Sequence, residues 1–267
     1  SGKDKIVSCL TGGIDYLFKK NKITRLIGAA SLKGQGRVDV SALGKTKSYS
    51  ASRILIATGS EPTSLPNVEI DETRIVSSTG ALALDKVPKS MVVIGAGYIG
   101  LEMGTVWSRL GTKVEVVEYL PRILPGMDLE VANKFKAMMT KQGLSFHMNT
   151  AVKSAKATKT GVTLILADAK SHEETEMKCD IALVSVGRRP NTDGLGLEDL
   201  GVAVNERGQI IVDEDFETNI EGVFAVGDVI PGPMLAHKAE EDSVAAVEIM
   251  AGQAGHVDYG LVPGIAV

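Results

Sequence analysis

Strand-length apolar runs alternate with helix-length amphipathic stretches through the middle of this chain of 267 residues. Positions 91–94 are wholly apolar, as in a strand covered on both faces of a parallel sheet. Ile99, Met103, Val106 and Leu110 recur at i, i+4, i+7 and i+11, which predicts a helix with that apolar face, stopped by Gly111. A second strand is expected over 113–117. A helix over 128–142 follows, with Asp128 as N-cap, Glu130 in its first turn and Gly143 as its stop, and then a third strand over 144–148. Segments 152–158, 162–166 and 173–177 read as an antiparallel meander that turns at 159–161, and 181–186 reads as a returning buried strand.

The flanks carry a second set of elements. A helix is expected over 6–20, with Leu10, Ile14, Leu17 and Phe18 on its apolar side and Thr11-Gly12-Gly13 weakening it. Short strands over 23–27 and 38–40 flank a glycine-rich turn at 34–36. A buried strand over 53–57 ends in Thr58-Gly59-Ser60, and Pro62 and Pro66 make the next stretch extended or looped. Later, 209–212 reads as a short strand, 218–228 as a strand ending in a glycine and an acid, and 236–251 as a helix. Strand-ending motifs thus lie on both sides of the central unit. A nucleotide-binding domain split in sequence by an inserted one accounts for them, and the fold class is α/β.

The chemistry concentrates between the first two central strands. Gly95, Gly97 and Gly100 have the spacing G-x-G-x-x-G, with Ala96, Tyr98 and Ile99 between them. In such a turn the first glycine permits the tight bend, the second lets a pyrophosphate approach the backbone, and the third lets helix and strand pack closely. Helix N-terminal amides supply the anion site. Glu118 ends the second strand about 20 residues further on, where a carboxylate binds both hydroxyls of an adenosine ribose. Its charge repels a 2′-phosphate, and Tyr119 rather than an arginine follows, so the pattern points to NAD over NADP.

Composition narrows the rest. The chain is 44% apolar and 23% charged, with a net charge of −4, so it can bury a large core and lacks a basic nucleic-acid footprint. No apolar run reaches the length of a membrane span. Cys9 and Cys179 are the two cysteines and lie too far apart in sequence for a secreted disulfide framework, which fits a reducing compartment. No residues suggest a metal site. The N-terminus reads as neither signal nor transit peptide and lacks an initiator methionine, as in a processed chain or a piece of a longer one.

Taken together, Ala57-Thr58-Gly59-Ser60, the 95–104 fingerprint, Gly187-Arg188-Arg189-Pro190, Ala225-Val226-Gly227-Asp228 and Pro233-Met234-Leu235-Ala236-His237-Lys238 resemble the flavin disulfide reductases. Within them, the Met-Leu-Ala-His run and Glu118 favour the dihydrolipoamide dehydrogenase branch. The resemblance covers essentially the whole chain. It implies a Rossmann-like NAD-binding domain inserted in a partial FAD-binding domain: 1–84 the first part of the FAD domain, 85–208 the NAD domain, 209–262 the second part, and 263–267 the start of a dimerisation domain. It further implies that Ala30, Thr58, Gly59, Ser60 and Asp228 contact FAD, with Met234, Leu235, Ala236 and His237 passing beside the flavin. Gly95, Ala96, Gly97, Tyr98, Ile99, Gly100 and Glu118 would hold NAD, Glu102 would reach its nicotinamide side, and Val152 and Gly187 would line the cleft. Tyr98 would either pack on its helix or cover the nicotinamide pocket and swing aside.

The implied enzyme oxidises protein-bound dihydrolipoamide with NAD through a redox disulfide and FAD. Its partners would be the lipoyl domains of 2-oxoacid dehydrogenase complexes or of the glycine cleavage system, as a homodimer. It would act in the mitochondrial matrix of a eukaryote or the cytoplasm otherwise, with neither nucleic acid nor membrane as partner. A glutathione- or mercuric-reductase-like enzyme and a non-catalytic NAD-binding module are the alternatives. The family's first glycine fingerprint, its cysteine pair and its catalytic histidine find no match here. No residue is therefore assigned as catalytic, the chain is expected to be inactive alone, and His147, His172, His237 and His256 read as surface or loop histidines. Cys179 reads as an inert buried thiol.

Overall fold

A computed structural model describes residues 2–34 and 36–264. The chain begins with α1 (Gly2–Lys20), a meander of β1 (Ala29–Leu32), β2 (Arg37–Ala42) and β3 (Lys45–Ser50), and then β4 (Ile54–Ile56) and β5 (Ser60–Pro62). The middle runs through β6 (Ile75–Val76), α2 (Ser78–Ala83), β7 (Ser90–Ile94), α3 (Tyr98–Arg109), β8 (Lys113–Val117), α4 (Leu129–Lys141) and β9 (Ser145–His147). It continues with β10 (Thr150–Ala157), β11 (Val162–Asp168), β12 (Glu174–Cys179), β13 (Ile181–Val184) and β14 (Arg188–Pro190). Last come α5 (Leu197–Leu200), β15 (Val223–Ala225) and α6 (Ala236–Met250). Two compact units result. One gathers the chain up to Ala57 with Thr192–Pro231 and Asp242–Gly255. The other gathers Thr58–Asn191, Gly232–Glu241 and the stretch from His256 onwards.

The second unit is a parallel sheet in the order β6-β13-β7-β8-β9. Strand β7 lies at its centre, and successive residues serve opposite layers. Met91 and Val93 join the cluster that holds Leu101, Trp107, Ala132 and Met139 from α3 and α4. Val92 and Ile94 join the cluster that holds Val162, Leu164 and Leu166 of β11. The continuous apolar run is thus a strand covered on both faces, by helices on one side and by the antiparallel meander β10-β11-β12 on the other.

Helix α3 uses only part of the face expected of it: Met103 packs against the helix-side core and Ile99 is half-buried. Val106 is 46% exposed and Leu110 55%, whereas Gly100, Leu101, Gly104, Thr105 and Trp107 are buried. A small residue decides this. A Cβ on Gly100 would lie 2.3 Å from the Gly95 carbonyl oxygen and 3.0 Å from Val93 Cγ1, so this glycine brings the start of the helix close to the sheet. A period count cannot see that, because it scores glycine as non-apolar. Helix α4 keeps to expectation: Asp128 Oδ1 accepts the Val131 amide at 3.0 Å, and Gly143 follows the last turn at φ +103°.

In the first unit, β1, β2 and β3 form an antiparallel meander, while β4 pairs in parallel with β15. The expected helix α1 forms and runs straight through Thr11-Gly12-Gly13, yet none of its residues is buried among the described residues. Residues 23–27 form no strand. Ile23, Leu26 and Ile27 are exposed and the ladder starts at Ala29, so β-favouring residues without a neighbouring strand specified nothing. Segment 209–212 forms no strand either. Ile210 makes one antiparallel bridge with Val204, while its own amide donates to Val229, so pairing does not extend beyond that bridge. Strand character after residue 218 is confined to β15, and the returning strand β13 stops at Val184. The turn expected at 34–36 includes Gln35, and the stretch 263–267 includes 265–267, which lie outside the described residues.

Four elements carried no readable signal. Strand β3 is polar throughout, and α5 spans four residues, too few for a periodic pattern. Strand β6 is only Ile75–Val76, and it is set by Asp71, whose Oδ1 accepts the amides of Thr73, Arg74 and Ile75 at 2.8, 2.7 and 3.0 Å. Helix α2 follows, capped by the Ser77 hydroxyl on the Thr79 amide at 3.1 Å. Among the described residues no helix is long and apolar enough to cross a membrane.

The α3 packing gives a direct comparison on one helix. Leu101→Ala is expected to cost about 2–5 kcal/mol of folding stability, while Leu110→Ala should stay within about 0.5 kcal/mol. Urea unfolding of the two variants checks it, and equal losses would restore the face read from periodicity.

Candidate functional site

Strand β7 delivers the chain into the glycine turn, and each glycine has its own geometric reason. Gly95 adopts φ +101°, a conformation L side chains rarely take, and a Cβ there would stand 2.5 Å from the Ser185 carbonyl oxygen. Gly100 abuts the turn itself: its Cβ would lie 2.3 Å from the Gly95 carbonyl and 2.6 Å from Ser185 Oγ. Gly97 is different. Its φ of −80° is ordinary, and nothing lies within 4 Å of where a Cβ would be. The middle glycine leaves open space over the N-terminus of α3, as a group approaching the backbone requires. No side chain caps that end and no acidic residue stands in its first turn, so its amides and dipole are left for an anion.

Glu118 closes the site from the end of β8. Its Oε2 accepts the Ala96 amide at 2.7 Å, and its Oε1 accepts the Leu120 amide at 2.8 Å. Its backbone is held as well, the amide donating to His147 at 2.9 Å and the carbonyl accepting from Thr150 at 2.9 Å. The carboxylate therefore sits over the glycine turn with both oxygens oriented. The loop after β8 adds a brace, the Leu124 amide donating to the Ala96 carbonyl at 3.0 Å. Arg122 in turn holds that loop by donating to the carbonyls of Leu124 and Met127.

The other residues expected around this turn lie in the same unit. Tyr98 opens α3, half-buried against the helix-side core, with Ile99 and Glu102 also half-buried on the first turns. Val152 is half-buried in β10, packed against the meander-side core. Gly187 is exposed at φ +132°, and its carbonyl accepts the Thr63 amide at 3.0 Å. The residues after it form strand β14, which pairs antiparallel with β5. Arg188 Nε donates to Ser60 Oγ at 2.6 Å, Thr58 donates to the Asn191 carbonyl at 2.7 Å, and the Asn191 amide donates to Gly59 at 2.9 Å. The Thr58-Gly59-Ser60 segment is thereby stitched to 188–191.

The remaining expected residues divide between the units. Ala30 is exposed in β1, opposite Val40 of β2. Asp228 is half-buried in a 3-10 turn after β15, where the neighbouring Gly227 amide donates to the wholly buried Asp242 at 3.1 Å. In the other unit, Met234 and Leu235 are half-buried ahead of Ala236, the first residue of α6. His237 Nε2 lies 2.9 Å from the Pro263 carbonyl. Lys238 is the residue this motif hid. It is 1% exposed, its stem packs on Gly232, and its ammonium lies 5.8 Å from the Tyr259 ring centroid.

The polar groups nearby are structural. His147 is not a loop residue: it sits in β9 with Nε2 2.9 Å from Glu115 Oε2. The hydrogen bond from Lys113, opposed by partial burial and assisted by His147, holds the Glu115 carboxyl below its ordinary value. Burial pushes the Cys179 thiol up to about 11, so it is protonated and unreactive at neutral pH. Cys9 lies exposed on α1. Among the described residues no group of three or more His, Cys, Asp or Glu is arranged to hold a metal.

A family profile described as pyridine nucleotide-disulphide oxidoreductase matches residues 3–243. The chain belongs to that family. It is 51% identical over 264 residues to a mitochondrial dihydrolipoyl dehydrogenase of Pisum sativum, covering 98% of this chain and 53% of that protein. It is 48% identical over 264 residues to dihydrolipoyl dehydrogenase 3 of Pseudomonas putida, covering 98% and 56%. A solved structure of RclA, a flavoprotein disulfide reductase of Escherichia coli, superposes with a TM-score of 0.86 at 25% identity, covering 95% of this chain and 57% of that one. The chain thus spans about half the length of the curated relatives it matches. Its α/β fold with a parallel sheet is that of the flavoprotein disulfide reductases, and pyridine nucleotide and flavin are the family's cofactor classes.

The glycines separate folding from binding. Gly97→Ala should leave the urea midpoint unchanged but weaken nucleotide binding about tenfold, by placing a methyl where the pyrophosphate approaches. Gly100→Ala should instead cost about 1–3 kcal/mol of stability through overpacking. A Gly97→Ala chain that binds nucleotide normally in calorimetry would remove Gly97 from the site.

Proposed function

We propose that this chain is a portion of a dihydrolipoamide dehydrogenase, which oxidises protein-bound dihydrolipoamide with NAD+. The observation that carries the NAD reading is Glu118, whose carboxylate stands over the glycine turn with both oxygens oriented by backbone amides. Ribose hydroxyls can donate to the same oxygens, and a 2′-phosphate would meet the negative charge at close range. The identity of about half over 98% of the chain to named dihydrolipoyl dehydrogenases supports the enzyme branch.

In this reading 85–208 is the NAD domain, and 1–84 and 209–262 are two parts of the FAD domain. Gly95, Ala96, Gly97, Tyr98, Ile99 and Gly100 line the pyrophosphate and nicotinamide side, Glu118 holds the adenosine ribose, and Glu102, Val152 and Gly187 border the cleft. Ala30, Thr58, Gly59, Ser60, Asp228 and Met234 to His237 are the residues offered to FAD. When bound, FAD and NAD supply the electron-transfer chemistry, and the chain's own residues bind and orient them. The whole enzyme acts as a homodimer on lipoyl domains of 2-oxoacid dehydrogenase complexes or the glycine cleavage system. It works in the mitochondrial matrix of a eukaryote and in the cytoplasm otherwise.

Calorimetry tests the NAD reading. The chain should bind NAD more tightly than NADP, and Glu118→Ala should weaken NAD by about 1–3 kcal/mol. Equal affinity for NAD and NADP would sink it. Residues 1–267 given FAD, NAD and dihydrolipoamide should bind NAD without sustained NADH formation. Dithiol oxidation needs a reactive thiolate, and the two cysteines here are a buried thiol of raised pKa and a solitary one on α1. Steady turnover would overturn that expectation.

A further inference from the structure

We propose that Ser185 is a positioning residue for the dinucleotide pyrophosphate, acting through the peptide between Gly95 and Ala96. The inference rests on the dinucleotide reading above and adds a residue to that site. Ser185 follows β13, and its amide and hydroxyl both donate to the Ile94 carbonyl, each at 2.9 Å. The hydroxyl's single proton is shared, its longer arm reaching the Gly95 carbonyl oxygen at 3.3 Å. That oxygen belongs to the same peptide plane as the Ala96 amide, which donates to Glu118 at 2.7 Å.

One rigid peptide unit at the heart of the turn is therefore gripped at both ends. Ser185 holds its oxygen, and Glu118 holds its hydrogen. Such a plane rotates only about the bonds that flank it, so two end contacts fix where the following amides point. Ser185 also leaves no room for a side chain on the turn: a Cβ at Gly95 would stand 2.5 Å from its carbonyl oxygen and one at Gly100 2.6 Å from its hydroxyl. Within the proposed site, ribose hydroxyls share the Glu118 carboxylate with the Ala96 amide, which loosens the hydrogen-bonded end of the plane. The Ser185 end is not shared with the ribose. It carries the turn's orientation when the nucleotide is bound, and hence the aim of the α3 N-terminal amides at the pyrophosphate.

Position and structure are separable by ligand. Adenosine reaches Glu118 but has no pyrophosphate, whereas ADP and NAD have one. Titration of the purified chain should show Ser185→Ala weakening NAD and ADP about five- to tenfold, with adenosine within about twofold of the parent. Ser185→Cys, which keeps a weak donor, should fall between the two. Combined with Glu118→Gln, the pyrophosphate-specific loss should exceed the sum of the separate losses, since the same peptide then loses both holds. Equal weakening of all three ligands would mean a merely structural role and overturn the proposal, as would unchanged NAD binding. A parent chain that binds neither NAD nor adenosine would overturn the dinucleotide reading itself.

Discussion

Strand β7 has to satisfy two layers at once, and the rest of the second unit follows from that demand. Met91 and Val93 fill the helix side while Val92 and Ile94 fill the meander side, so no residue of the run can turn outward. A strand fully enclosed in this way can show its backbone only where it ends. It ends at Gly95, whose positive φ turns the chain out of the sheet and straight into α3. The exposed end of a buried strand and the N-terminus of a helix thus meet in one place, the arrangement in which open α/β sheets bind ligands.

Close packing and anion access make opposite demands on the same turn, and the glycines divide the task. Gly100 allows α3 to approach the sheet, tight against the turn and Val93. Gly97 has no such neighbour and keeps space open. The surroundings then immobilise what the glycines make flexible: Ser185 just after β13, the Leu124 amide from the loop after β8, and Glu118 just after β8. A glycine-rich turn without these braces would lose much of its preorganisation on the entropy of its own backbone.

Family membership and the local geometry bear on different parts of the chain. The match to the pyridine nucleotide-disulphide oxidoreductases extends over both units, while the glycine turn and Glu118 lie in one. In the other unit, the turn that bears Asp228 is anchored through Gly227 to the buried Asp242. Reactive groups are scarce. The polar side chains near the turn are engaged in holding strands and loops together, as Glu115 and His147 do across β8 and β9.

Much of this was legible in the residues alone. The enclosed strand, the G-x-G-x-x-G turn, Glu118, the capped helix α4 and the three-strand meander all follow from local patterns, because each depends on residue type at short spacing. The failures share a cause. Residues 23–27 look like a strand but gain no partner, and 209–212 pairs only through one bridge between Ile210 and Val204, since pairing depends on what lies alongside and not on the segment. The face of α3 was partly misread because closeness of approach favoured glycine over larger apolar residues, a choice made by the sheet. Of the residues that brace the turn, Ser185 and Leu124 were invisible for the same reason. Ser185 lies 90 positions from Gly95, and no spacing rule connects a serine after one strand to a carbonyl after another. The sequence determined which chemistry the turn can hold. Only the tertiary structure decided which side chains hold the turn, because that depends on the strand order that sets β13 beside β7.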